Sequence, residues 1–150
     1  MSPQELLRSA FNQAVEAAQA TCLIPHLDSL PPIDGRTVFL VAGKAAAQHA
    51  QIAQECLGDI EGICILPKGH QVSTSLRVIE ASHPVPDAGS LLAAQEAMAL
   101  ARSLEPNDRM ICLISGGGSA LMSAPLPTMD PELKMRTYRA LLASGATISE

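Results

Sequence analysis

Apolar positions along this chain follow two spacings. From Leu7 through Ala10, Phe11, Ala14, Val15 and Ala18 they recur every three to four residues, which lines them along one face of a helix. Ser2, Pro3 and Glu5 supply its start: a serine N-cap, a proline at the first helical position and a glutamate placed to close a capping box. The spacing predicts a scaffold helix as far as about Ala20. Pro25, Pro31, Pro32, Asp34 and Gly35 then interrupt any regular element and predict a surface connection.

The second spacing is the short unbroken apolar run. Thr37 to Ala42 and Gly62 to Leu66 are such runs, and Leu76 to Ala81 is a weaker one that reads as an edge strand. Met110 to Ile114 is too short for a helix and lacks polar alternation, which predicts a central strand buried on both faces. Between the runs, helical spacing returns over Ala45 to Leu57, where Gly58 and Asp59 stop it, and over Leu91 to Ser103, which Asp87 or Ser90 can cap. A short helix is expected from Ser119, and a last one runs from Pro131, capped by Asp130, through Leu142 to a stop at Gly145. No internal repeat is present. This alternation defines an α/β fold, Rossmann-like, with a mostly parallel sheet and helices on both faces.

Composition narrows the function classes. At 150 residues the chain suits one domain, and its 47% hydrophobic content, mostly Ala, Leu and Ile, suits close helix-on-sheet packing. The net charge of −5, with only Tyr138, Phe11 and Phe39 available for stacking, argues against a nucleic-acid surface. An anionic ligand would have to be held by local geometry. Cys22, Cys56, Cys64 and Cys112 form no C-x-x-C pair, and three of them fall in predicted elements; buried reduced thiols and a cytoplasmic location are expected. No stretch approaches the roughly 18 apolar residues of a membrane span, and no signal region opens the chain. His26, His49 and His70 lack metal-ligand spacing, so no metal site is expected. Ala146 to Glu150 follow the last helix with no terminal signal, which leads us to expect a longer natural chain.

Two segments carry candidate chemistry. Ser115, Gly116, Gly117, Gly118 and Ser119 come directly after the Met110 to Ile114 run, where bare backbone amides can turn toward an anion; the bland alternative is a flexible strand-to-helix connection. Lys44 follows Gly43 at the mouth of another strand and the start of a helix, a position suited to a phosphate or carboxylate, or simply to a surface lysine. Neither segment is a standard nucleotide motif. A P-loop ending at Gly43-Lys44 would need glycine at Val38, and both G-x-G-x-x-G and G-x-S-x-G fail at Leu121. His83 and Asp87 flank two prolines after the Leu76 to Ala81 run, as candidate ligands or as a structural histidine and a helix cap.

Gly43-Lys44-Ala45, the S-H-P-V-P-D stretch at Ser82 to Asp87, L-I-S-G-G-G-S-A-L at Leu113 to Leu121 and L-L-A-S-G-A-T-I at Leu141 to Ile148 together resemble the N-terminal region of the glycerate 2-kinase family, also labelled hydroxypyruvate reductase. The resemblance covers nearly the whole chain. It implies ATP-dependent phosphorylation of glycerate to 2-phosphoglycerate with Mg²⁺, Lys44 as the functional lysine and the serine-glycine loop as the ligand-binding loop; His83 stands beside them as a candidate ligand from its place in the proline loop. It also implies that residues 1–150 are the N-terminal Rossmann-like domain of a longer chain and are inactive alone. A small-molecule partner is expected, with no nucleic acid and no membrane, and a homodimer stays open. The alternatives are an NAD(P)-dependent reductase and a non-catalytic phosphosugar-binding domain.

Overall fold

The computed structural model describes residues 1–145 and residue 147. Ala146 and Ile148 to Glu150, on which the expected chain continuation and the end of the last motif rest, lie outside the described residues.

Among the described residues four strands form the sheet: β1 (Thr37–Ala42), β2 (Glu61–Pro67), β3 (Arg77–Ala81) and β4 (Arg109–Ile114), in the order β3-β2-β1-β4. Every pairing is parallel, with Leu40 opposite Ile63 on one side and Cys112 on the other. This confirms the Rossmann-like α/β reading. Helix α3 (Ala46–Leu57) connects β1 to β2, and α4 (Ala88–Arg102) connects β3 to β4. From β1 the chain first steps outward to β2 and β3, then returns past β1 to β4. Right-handed crossovers in opposite directions put α3 and α4 on opposite faces of the sheet.

Each face has its own apolar layer. Phe39, Val41, Cys64, Leu66 and Leu113 pack beneath Ala46, Ala50 and Ala53 of α3. Leu40, Ala42, Ile63, Ile65 and Ile79 pack with Ala93 and Ala97 of α4. Alanine on the inward helix faces lets both helices lie close to the strands. At the amino ends of the strands, Arg36 bonds to Asp108, Glu61 and Ser103 and joins three segments.

Three expectations need correction. First, β4 is an edge strand, with Cys112 and Ile114 exposed. The amides of Arg109 and Ser115 donate to Arg36 and Ala42 on the β1 side; backbone groups alternate in direction along a parallel strand, so those of Met110, Cys112 and Ile114 face outward. Second, α1 (Pro3–Ala17) has its expected capping box but buries no residue, and Leu7 and Phe11 are 71% and 67% exposed. Its apolar stripe covers nothing among the described residues, so it is not a scaffold here. Third, of the thiols only Cys64 is buried, with its pKa pushed up to about 11 by that burial; Cys22 and Cys112 are exposed.

The connection after α1 is also more ordered than the prolines suggest. A 3-10 turn (Ala20–Leu23) leads into α2 (Ile24–Asp28), with Pro25 in its first turn, and Leu27 is buried against the α3 side. Among the described residues two helices follow β4: α5 (Gly118–Leu121) and α6 (Pro131–Ser144). No described helix is long and apolar enough to cross a membrane.

An edge with outward amides and apolar side chains is a template for strand pairing. Cys112→Lys should lower concentration-dependent association of the 150-residue chain, as followed by light scattering. Unchanged association would show that this edge is not its cause.

Candidate anion-binding rim

The carboxyl ends of β1 and β4 lie side by side where the chain's direction across the sheet reverses, the place at which open α/β sheets hold ligands. Gly43 and Lys44 leave β1 there, and Ser115 to Gly117 leave β4. Lys44 N–H donates to Gly116 O at 2.9 Å, and Ala45 N–H donates to Ser115 Oγ at 3.0 Å, which ties the two turns together. Ser115 N–H donates to Ala42 O at 2.9 Å, so the Ser115 hydroxyl and amide are both used in holding the turn.

Other donors are not used in this way. Among the described residues the amides of Gly116 and Gly117, the exposed Ser119 hydroxyl and the Lys44 ammonium make no hydrogen bond. Gly117 has φ +90°, and a Cβ placed on it would lie 2.9 Å from His83 Cδ2 and 3.4 Å from Lys44 Cγ. The loop glycine, the histidine and the lysine therefore meet at one point. Gly118 is buried and opens α5, so it shapes the turn from behind.

His83 comes from the Ser82 to Pro86 segment between β3 and α4, where the His83–Pro84 peptide is cis. Asp87 does not face the open rim. Its carboxylate caps α4, accepting from Ser90 N–H at 3.1 Å, and also accepts from Ser82 Oγ at 2.8 Å and Lys68 Nζ at 2.5 Å. Burial pushes the Asp87 pKa up, but the bonds from Lys68, Ser82 and Ser90 outweigh it and hold the group well below the usual carboxylate range. The folded state thus binds this proton less readily than the unfolded chain. Its contribution to stability is present above about pH 4 and is lost as the pH falls further. Asp87→Asn should flatten the acid limb of the stability curve, and an unchanged limb would remove Asp87 from that account.

Lys68 was not singled out from the sequence. It follows β2 in Pro67-Lys68-Gly69 much as Lys44 follows β1, and that strand-end lysine pattern was the available signal. A second concavity of about 770 Å³ lies at the opposite end of the strands, lined in part by Thr37, Glu61 and Arg109. Those are strand starts, away from the carboxyl-end rim. Among the described residues no group of three His, Cys, Asp or Glu side chains could hold a metal ion.

Fold and rim together define a Rossmann-like α/β fold with a lysine and unengaged loop amides at the carboxyl ends of β1 and β4. The chain belongs to the family described as a domain of unknown function, DUF4147, which matches residues 6–150. It is 40% identical over its whole length to an Agrobacterium vitis protein provisionally named hydroxypyruvate reductase, of which it covers 35%. It is 37% identical to the glycerate 2-kinase of Pyrococcus horikoshii, with 79% of this chain and 27% of that protein aligned. Among solved structures, the glycerate kinase of Thermotoga maritima superposes with a TM-score of 0.78 at 32% identity, over 98% of this chain and 37% of that one. The motif-level resemblance is borne out. The chain spans about a third of the length of these relatives.

Proposed function

We propose that this chain is the N-terminal Rossmann-like domain of a longer polypeptide that phosphorylates glycerate at its 2-hydroxyl with ATP. The observation that supports the reading is the convergence of Lys44, Gly117 and His83 at one point of the rim, where the Gly116 and Gly117 amides and the Lys44 ammonium make no hydrogen bond among the described residues. Phosphoryl transfer needs charge neutralisation and alignment more than covalent chemistry. Lys44 supplies the neutralising charge, the Gly116 and Gly117 amides and the Ser119 hydroxyl orient phosphate oxygens, and His83 walls the site. In the reaction the glycerate hydroxyl oxygen bonds to the γ-phosphorus, the bond to the bridging oxygen breaks, and ADP leaves. The proton passes to a base outside residues 1–145.

The unengaged donors fit the polyphosphate of a nucleotide. The described residues offer no carboxylate set for Mg²⁺, so the ion would ride on the phosphates themselves, as it does where few protein ligands are provided. The kinase names of the relatives support this reading. The reductase name in the family motivates the competing one. Incubating the longer polypeptide with ATP, Mg²⁺ and glycerate should yield 2-phosphoglycerate, resolved from the 3-isomer by phosphorus NMR. Hydroxypyruvate-dependent NADH consumption without phosphoglycerate would overturn the proposal, and so would anion binding without turnover. Residues 1–150 alone should turn over no ATP.

A further inference from the structure

We propose that Asp87 is a positioning residue for the rim: held in place by Lys68, its carboxylate sets the Ser82-His83 segment so that His83 lies against Gly117 and Lys44. The inference rests on the proposed phosphoryl-transfer reading only for the purpose of the rim, not for the geometry.

An N-cap needs one acceptor for an amide of the first helical turn. Asp130 does only that for α6, accepting from Glu132 N–H at 3.0 Å. Asp87 does far more. One oxygen accepts from Ser90 N–H at 3.1 Å, Ser90 Oγ at 3.3 Å and Ser82 N–H at 3.2 Å; the other accepts from Ser82 Oγ at 2.8 Å and Lys68 Nζ at 2.5 Å. Ser82 follows β3 and Lys68 follows β2, so three strand and helix ends are tied to one carboxylate. Lys68 is itself placed by its amide, which donates to Ala81 O at 3.1 Å.

Both carboxylate oxygens are occupied, so Asp87 is not free to ligate a metal or accept a substrate proton. Its reach is through its neighbour. Ser82 donates two of the bonds and immediately precedes His83, whose ring leaves no room for a Cβ on Gly117. If His83 shifts, the Gly116-Gly117 turn loses one wall, and the amides that would meet a phosphate are no longer held in one orientation. Preorganised donors owe their effect to that fixed orientation.

The test uses the 150-residue chain and inorganic pyrophosphate as probe. Asp87→Asn keeps an oxygen able to cap α4 but sets an amide NH₂ against the Lys68 ammonium. Lys68→Met leaves the cap intact and removes only the brace. Both variants should keep wild-type amide protection in α4, displace the His83 ring and Gly117 amide resonances, and weaken pyrophosphate binding about tenfold, the size expected for losing one charge-assisted hydrogen bond. Unmoved His83 and Gly117 resonances in Lys68→Met overturn the proposal even if Asp87→Asn fails to fold. Wild-type chain that ignores pyrophosphate would count against the phosphoryl-transfer reading, while the resonance comparison would still decide the role of Asp87.

Discussion

Lys44→Ala in the longer polypeptide should lower kcat/KM for glycerate phosphorylation about 100- to 1,000-fold, the scale of losing one preorganised charge-stabilising group at a transferring phosphoryl. The ammonium makes no bond within the described residues, so its removal leaves no protein group unpaired and should not unfold the domain. The loss should fall mainly on kcat. A phosphate-sensing domain would show weaker binding and nothing more, which makes the division between kcat and KM the deciding measurement. Steady-state rates within about threefold of wild type would remove Lys44 from the chemistry.

Gly43→Ala should destabilise the domain by about 3 kcal/mol or more, because two penalties fall on one residue. Gly43 has φ +127°, and a Cβ there would sit 2.1 Å from Ser115 Oγ and 2.7 Å from Ser115 O. The backbone oxygen cannot give way without undoing the turn that joins β1 to β4. Gly116→Ala is the internal control. Nothing lies within 4 Å of its added methyl and its φ is unstrained, so the same change should alter stability by less than about 1 kcal/mol. Chemical denaturation of both variants checks the pair, and equal midpoints would refute the steric account.

Much of the sheet was legible in the sequence for a simple reason: strand β1 is apolar from Val38 to Ala42 and is buried over those residues, between two neighbours. The caps were legible too, since Ser2, Asp87 and Asp130 act through bonds to residues two or three positions away. The place of β4 was not. Met110 to Ile114 carries the same apolar signal at the centre of a sheet as at its margin, and the difference depends on what pairs beside it. The stripe of α1 likewise reports a face suited to burial without saying what covers it. Pro25 was read as a breaker because proline ends helices from within, yet in a first turn its missing amide costs nothing. At the rim, spacing placed Lys44 and the glycine loop at strand ends. The link from Lys68 through Asp87 to Ser82 joins residues up to 19 positions apart, and no local pattern encodes it.

The two margins of the sheet are chemically unlike. On β3, Arg77 and Glu80 put charge along the outer strand, and Arg77 is clamped to Glu96 of α4. On β4 the outward side chains are apolar, and Ile114 is 52% exposed. Extension is therefore directional, open at β4 and discouraged at β3. Handedness adds a second constraint: a parallel strand joined to β4 by a right-handed crossover brings its helix to the α4 face. That helix would fall into the trough of about 290 Å³ between Leu40, Ala97, Met98 and Met110. For a strand that arrives by such a crossover, zipping onto β4 also carries its helix over the trough, so the new backbone bonds and the drying of the methionines are gained together.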